Sequence, residues 1–112
     1  MSSETSSAPK TDWLVIMPDR EGVLDKRMSV RSDHFSNLIP RAEAGFWKLG
    51  GAMLTEPAKD GEPLKITGSA LLAHASSREE VIEELKKDVY AKEVWDWDKI
   101  HVIPFKTAFL KG

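Results

Sequence analysis

The segment from Leu24 to Ala42 limits what this chain can fold into more than any other. Leu24, Met28, Phe35, Ile39 and Ala42 recur at helical spacing and fall in one stripe, which predicts a helix with that side against the core. Charge runs along the same helix. Arg31 lands inside or beside the stripe, and Arg27 and His34 share its edge, because residues three and four apart occupy one helical face. An unpaired guanidinium is costly to bury, so Arg31 needs a carboxylate. Asp88 is the candidate, about two turns beyond Val81 on a second amphipathic segment whose apolar side is Val81, Ile82 and Leu85. The expectation is a cleft in which Arg27, Arg31 and His34 meet Asp88.

The flanking segments set the architecture. Trp13 to Met17 reads as a buried strand, closed by Pro18 and the turn-like Asp19-Arg20-Glu21-Gly22. The helix after it has a soft spot near Ser29, meets a kink or a restart at Pro40, and ends by Gly45. Phe46 to Leu54 is a second strand, in which Gly50-Gly51 marks a bulge or a close approach to the backbone. A loop from Glu56 to Pro63 contains the turn pair Asp60-Gly61, and Leu64 to Ala75 forms a third strand that is apolar on both faces. Ser76-Ser77-Arg78-Glu79-Glu80 is a capping box that opens the second helix. A short helix over Val89 to Trp95 and a fourth strand over Ile100 to Phe105, with Pro104 at an edge, complete the order. Strand, helix, strand, strand, helix, strand is the ferredoxin-like βαββαβ plan of an α+β domain. Helices on one face leave an apolar sheet face bare, and a second copy is its simplest cover, so a homodimer is expected.

At 112 residues the chain accommodates one domain, over residues 12–110, after a Ser- and Thr-rich tail at 1–11 that is expected to be disordered. A net charge of −2 without a local basic cluster argues against nucleic acid as a partner. The absence of cysteine removes disulfides, thiolate catalysis and Cys-based zinc sites. No apolar run reaches the roughly 20 residues needed to span a bilayer, so no membrane association is expected and a cytoplasmic location is the default.

Five ordered motifs carry a family resemblance. Arg27-x-x-x-Arg31-x-x-His34-Phe35, Ala44-Gly45 followed by Leu49-Gly50-Gly51, Thr67-Gly68-Ser69, Asp88-Val89-Tyr90 and Pro104-Phe105 resemble, in order and spacing, the motifs of YCII-related proteins. The likeness covers about Trp13 to Phe109. It implies a dimeric α+β barrel with a His–Asp pair as the active site, here His34 and Asp88. Known chemistry in that family includes dehydrochlorination of a chlorinated hydroxyquinol. Val89 stands where the family has proline after Asp88, Glu93-Val94 where it has small residues, and Ala52 where it has proline after Gly51. These departures reshape the pocket, so the substrate does not carry over.

The leading functional reading is a small enzyme of lyase or isomerase type that needs no cofactor and acts on a cyclic or aromatic metabolite, in a catabolic or secondary-metabolic pathway. An imidazole oriented by a carboxylate is a competent general acid and base, and two guanidinium groups can hold the oxyanion that proton removal creates. His34 is then the base, Asp88 its orienter, and Arg27 and Arg31 the anion clamp. The alternatives are a non-catalytic ligand-binding or accessory dimer using the same cleft, a structural Arg31–Asp88 bridge capped by His34, and a hydrolase. Ser69 is either a packing residue or a hydrogen-bond donor into the cleft. Tyr90 either orients a substrate or is a buried aromatic with a wet hydroxyl. No metal is expected: His74 and His101 lack ligand spacing, and His34 with Asp88 is too few ligands. Trp13, Trp47, Trp95 and Trp97 are core or interface residues, or the walls of an aromatic pocket. Gly50-Gly51 lacks the spacing of a phosphate loop.

Overall fold

In the computed structural model, which describes residues 8–111, the expected element order is present. Residues 1–7 of the expected tail lie outside the described residues. Strand β1 spans Thr11–Pro18 and so takes in Thr11, the last residue assigned to that tail, which pairs with Ala75. Helices α1 (Leu24–Ser29) and α2 (Arg31–Glu43) follow, then β2 (Trp47–Leu54), β3 (Ile66–Ala75), α3 (Arg78–Lys86), the single turn α4 (Tyr90–Glu93), a 3₁₀ turn at Trp97–Lys99 and β4 (His101–Phe105). The four strands form an antiparallel sheet in the order β2-β3-β1-β4, the ferredoxin-like arrangement. No described helix is long and apolar enough to cross a membrane.

Local chemistry explains the element ends. The hydroxyl of Ser29 donates to the carbonyl of Lys26 at 2.7 Å, and Val30 leaves helical geometry at ψ 13°, which separates α1 from α2 where the soft spot was expected. Pro40, in contrast, neither restarts nor ends the helix: α2 runs through it to Glu43. The carbonyl that its missing N–H would have capped belongs to Ser36, which faces solvent. Gly45, at φ 89°, closes α2 with a Schellman pair in which Phe46 N donates to Arg41 O and Gly45 N to Ala42 O. Ser77 is the N-cap of α3, with Glu80 N donating to Ser77 Oγ at 3.1 Å, while the Glu80 carboxylate reaches one residue further back and accepts from Ser76 N at 2.7 Å.

Two expectations about packing are corrected. The stripe Leu24, Met28, Phe35 and Ile39 is not buried; these side chains are 36%, 44%, 41% and 52% exposed. The inward stripe lies one position earlier and runs Val23, Arg27, Val30, His34, Leu38, with the two polar members the most deeply buried. The helix turns this way because both polar members find partners inside, as described below. Nor does Gly50-Gly51 form the bulge: Gly50 pairs with Leu71 and Gly51 with Ala70 in register. The irregularities flank them, between Trp47 and Leu49 and between Met53 and Leu54.

On the helical side of the sheet, Val15, Met17, Leu71, Ala73 and Val102 pack against Val81, Leu85, Tyr90, Val94 and Trp95. The opposite side is apolar too, as expected. Leu14, Ile16, Leu72 and Ile103 alternate onto it, and Leu49, Ile103 and Phe105 stand among the exposed hydrophobic residues. At its margin His74 Nδ1 meets Asp12 Oδ1 at 2.9 Å, and Lys48 and Thr107 bind the same carboxylate.

Candidate active site

A cleft of about 410 Å³ opens between α2 and the β2–β3 edge of the sheet. It exists because Gly50 and Ala52, which pair with Leu71 and Ser69 on the helix-facing side of β3, carry almost no side chain into the gap. Its floor starts at Ser69. The preceding residue must be glycine: a Cβ at Gly68 would lie 2.6 Å from the carbonyl oxygen of Met17 and from the Met53 methyl. Ser69 Oγ accepts hydrogen bonds from Arg27 Nη2 and from Trp95 Nε1, the latter at 3.1 Å. With both acceptor positions taken, its proton is the remaining valence, and Ser69 lines the cleft.

Arg27 is the buried cation of the site. Its Nε donates to Asp19 Oδ2 at 2.8 Å, both side chains are about 5% exposed or less, and its Cζ sits 4.5 Å over the ring of Tyr90. Asp19 is fixed at the end of β1, where its N–H donates to Thr67 O at 2.8 Å and it bridges Trp95. Its Oδ1 is buried, with no hydrogen-bond partner among the described residues. Burial pushes the Asp19 carboxyl above its ordinary value, against the pull of Arg27.

His34 and Asp88 make the second buried contact. His34 Nδ1 lies 2.8 Å from Oδ1 and 2.7 Å from Oδ2 of Asp88. A carboxylate only accepts, so Nδ1 carries a proton, an assignment made from the hydrogen bond; in the neutral imidazole Nε2 is then the acceptor. Asp88 itself sits just past the end of α3, in the turn before α4, and not within the helix. Its Oδ1 also accepts from Tyr90 N at 2.9 Å. Tyr90 stacks on the imidazole, with centroids 3.9 Å apart and planes 13° from parallel. Its hydroxyl is not wet: Oη is buried and has no hydrogen-bond partner among the described residues, and burial raises its pKa above the ordinary value.

The arrangement differs from the expected one in its pairing. Arg31 is exposed, its Cζ lies 4.7 Å over Phe35, and it has no ion-pair partner among the described residues. Asp88 is taken by His34 and the buried guanidinium by Asp19, so neither the Arg31–Asp88 contact nor the structural bridge built on it forms. Arg27, Arg31, His34, Ser69, Tyr90 and Trp47 do line one cleft. Trp95 is fully buried beneath it, while His74 stands on the other side of the sheet and His101 is exposed. Sequence reasoning missed Asp19. Its one signal was position, directly after a buried strand and a few residues before a cationic helix face. Among the described residues no three His, Asp or Glu side chains converge as a metal site.

Known proteins resemble this chain in sequence and fold. The model of the YCII-related domain matches residues 11–106. Aspercryptin biosynthesis cluster protein B of Emericella nidulans is 34% identical over 103 residues, 90% of this chain and 65% of that protein. Fusaric acid biosynthesis protein 2 of Gibberella fujikuroi is 33% identical over 97 residues, 86% of this chain and 93% of its own. The chain thus spans about two thirds of the aspercryptin protein, and it spans 19% of a further relative, aspartate kinase FUB3 of Fusarium oxysporum. Among solved structures, 5-chloro-2-hydroxyhydroquinone dehydrochlorinase (TftG) from Burkholderia phenoliruptrix AC1100, in complex with 2,5-dihydroxybenzoquinone, superposes with a TM-score of 0.72 at 26% identity, covering 86% of this chain and 94% of that one.

Proposed function

We propose that this chain, which belongs to the YCII-related domain family, is a small acid–base enzyme of lyase or isomerase type that acts on a cyclic or aromatic molecule bearing an acidic oxygen. The observation that carries the reading is His34: Nδ1 is held by both oxygens of a buried carboxylate, which leaves Nε2 as the acceptor in a ligand-sized cleft. The oxygen of a bound carbonyl or enol sits against Arg27, with the Ser69 proton beside it and Arg31 at the mouth. Nε2 removes a proton from the carbon next to that carbonyl, the C–H pair forms the enolate double bond, and the guanidinium groups take up the charge on oxygen. Asp88 faces the imidazolium so formed. Return of the proton at another carbon completes an isomerisation; departure of a leaving group with its electron pair completes an elimination.

Support comes from two directions: the dehydrochlorinase neighbour holds a hydroxylated quinone, and relatives bear the names of biosynthesis cluster proteins. The direct test is carbon-bound hydrogen exchange in D₂O with 2,5-dihydroxybenzoquinone. The native protein accelerates exchange above the buffer rate, and His34→Gln does not. Binding without acceleration favours the second reading, a non-catalytic ligand-binding dimer, to which the prior neutralisation of Arg27 by Asp19 lends support.

A homodimer is part of the same proposal. Leu49, Ile103 and Phe105 leave an apolar sheet face uncovered, and a second copy buries it. Sedimentation at micromolar concentration reads a dimer; a monomer contradicts it.

A further inference from the structure

The cleft is divided along its length. On its helical wall the polar members, Arg27, Arg31 and His34, come first, and the members after Phe35 are Leu38, Ile39 and Ala42. Ala42 lies about 12 Å beyond His34 along the helix axis, at 1.5 Å per residue. The strand wall is apolar along most of its length, with Ile66 and Leu64 beyond Ser69 and Leu71 between Ser69 and the far end. Ala52 pairs with Ser69 at the polar end, whereas Trp47, reached directly from α2 through the Gly45 turn, stands at the other. Lys48 brings a charge to that second end, but its Nζ is 3.3 Å from Asp12 Oδ1 and so already engaged. Ile39 is about half exposed there, an apolar side chain beside Leu38 on the cleft wall.

The geometry points to an amphipathic substrate: an acidic ring at the Arg27–His34 end that carries an alkyl or aryl substituent running toward Leu38, Ile39 and Trp47. The placement of the ring rests on the acid–base reading above; the substituent rests on the apolar end. Cavities of about 300–1,000 Å³ take ligands of drug size, and a single six-membered ring leaves most of this one empty. Burying the substituent removes apolar surface of both ligand and protein from water, so affinity rises with its length until the groove is filled.

The test is calorimetric titration of the full chain with 2-methyl-, 2-butyl- and 2-hexylcyclohexane-1,3-dione, which are acidic enols differing only in chain length. The dissociation constant is expected to fall roughly two- to fourfold per added methylene in the native protein. Ile39→Asp, at an exposed position, flattens the series. Ala42→Phe, also at an exposed position, fills the far end and removes the gain from butyl to hexyl. A chain-length-independent affinity overturns the inference. An undiminished gain in Ile39→Asp overturns it too, because the chain then binds elsewhere, and so does conversion of a dimer to a monomer by Ile39→Asp, which assigns the stripe to an interface. Failure of every member, methyl included, sinks the ring placement as well and thus the acid–base reading itself.

Discussion

Nδ1 of His34 meets both carboxylate oxygens of Asp88, at 2.8 and 2.7 Å, across a sequence separation of 54 residues. Asp88 also accepts from the backbone of Tyr90, whose ring stacks on the same imidazole. One carboxylate therefore sets both the rotation of the base and the position of the aromatic surface that supports it.

Arg31 separates binding from folding. It is exposed, lies over the ring of Phe35 and lines the cleft, with no ion-pair partner among the described residues, so Arg31→Ala is expected to change unfolding free energy by less than about 0.5 kcal/mol. Affinity for anionic ligands falls about five- to tenfold for the same change, a loss of about 1 kcal/mol. Urea unfolding and calorimetry read the two effects apart. A large loss of stability would mean that Arg31 has a buried partner.

Asp19 and Asp12 oppose each other in pH dependence. The folded-state pKa of Asp19 is raised by burial, so the folded protein holds that proton more tightly, and this contribution to stability falls as pH climbs from the ordinary carboxylate value through the raised one. Asp12 is held far below its ordinary value, first by the Thr107 hydrogen bond and then by His74 and Lys48; its contribution is present above the ordinary value and is lost as pH falls through the lowered one. Between about pH 3 and pH 6, where free carboxyls titrate, Asp19→Asn should make stability rise more steeply with pH and Asp12→Asn less steeply. Parallel slopes in the two variants would contradict the assignment.

Tyr90→Phe removes a buried hydroxyl that has no partner among the described residues, so the free protein should gain stability or stay within about 1 kcal/mol of native. If Oη donates to a bound ligand, the same variant binds that ligand about two- to tenfold more weakly. Gain without ligand and loss with it is the pattern of a donor kept open for substrate. Loss in both conditions would show a partner within the fold.

Ser69→Ala leaves Arg27 Nη2 and Trp95 Nε1 without their buried acceptor, at about 1–3 kcal/mol for each. Chemical denaturation checks the sum. A loss below about 1 kcal/mol would place neither donor on that hydroxyl.

His34 and Asp88 were legible because inward phase is a local property: helical spacing brings Arg27 and His34 together, and two turns beyond Val81 point Asp88 inward even though α3 ends before it. The identity of the inner stripe was not legible. Apolar content favoured Leu24, Met28, Phe35 and Ile39, but burial went to the neighbouring stripe, whose arginine and histidine have carboxylates to meet. Which cation takes which carboxylate depends on distances between elements. Asp19 reads as a turn residue because its chemistry is set by Arg27, Trp95 and Thr67, which only the fold brings to it. The sheet plan was readable from alternation, whereas the irregularity beside Lys48 depends on register with β3, which no single strand encodes.

Whether His34 can act as the base is read from a long-range ¹H–¹⁵N correlation spectrum of its ring at a pH where the imidazole is neutral. The proton is expected on Nδ1, with a bare Nε2, and that preference is weakened in Asp88→Asn. A proton on Nε2 in the native protein would contradict it, because His34 would then present a donor to the cleft and could not accept the substrate's proton.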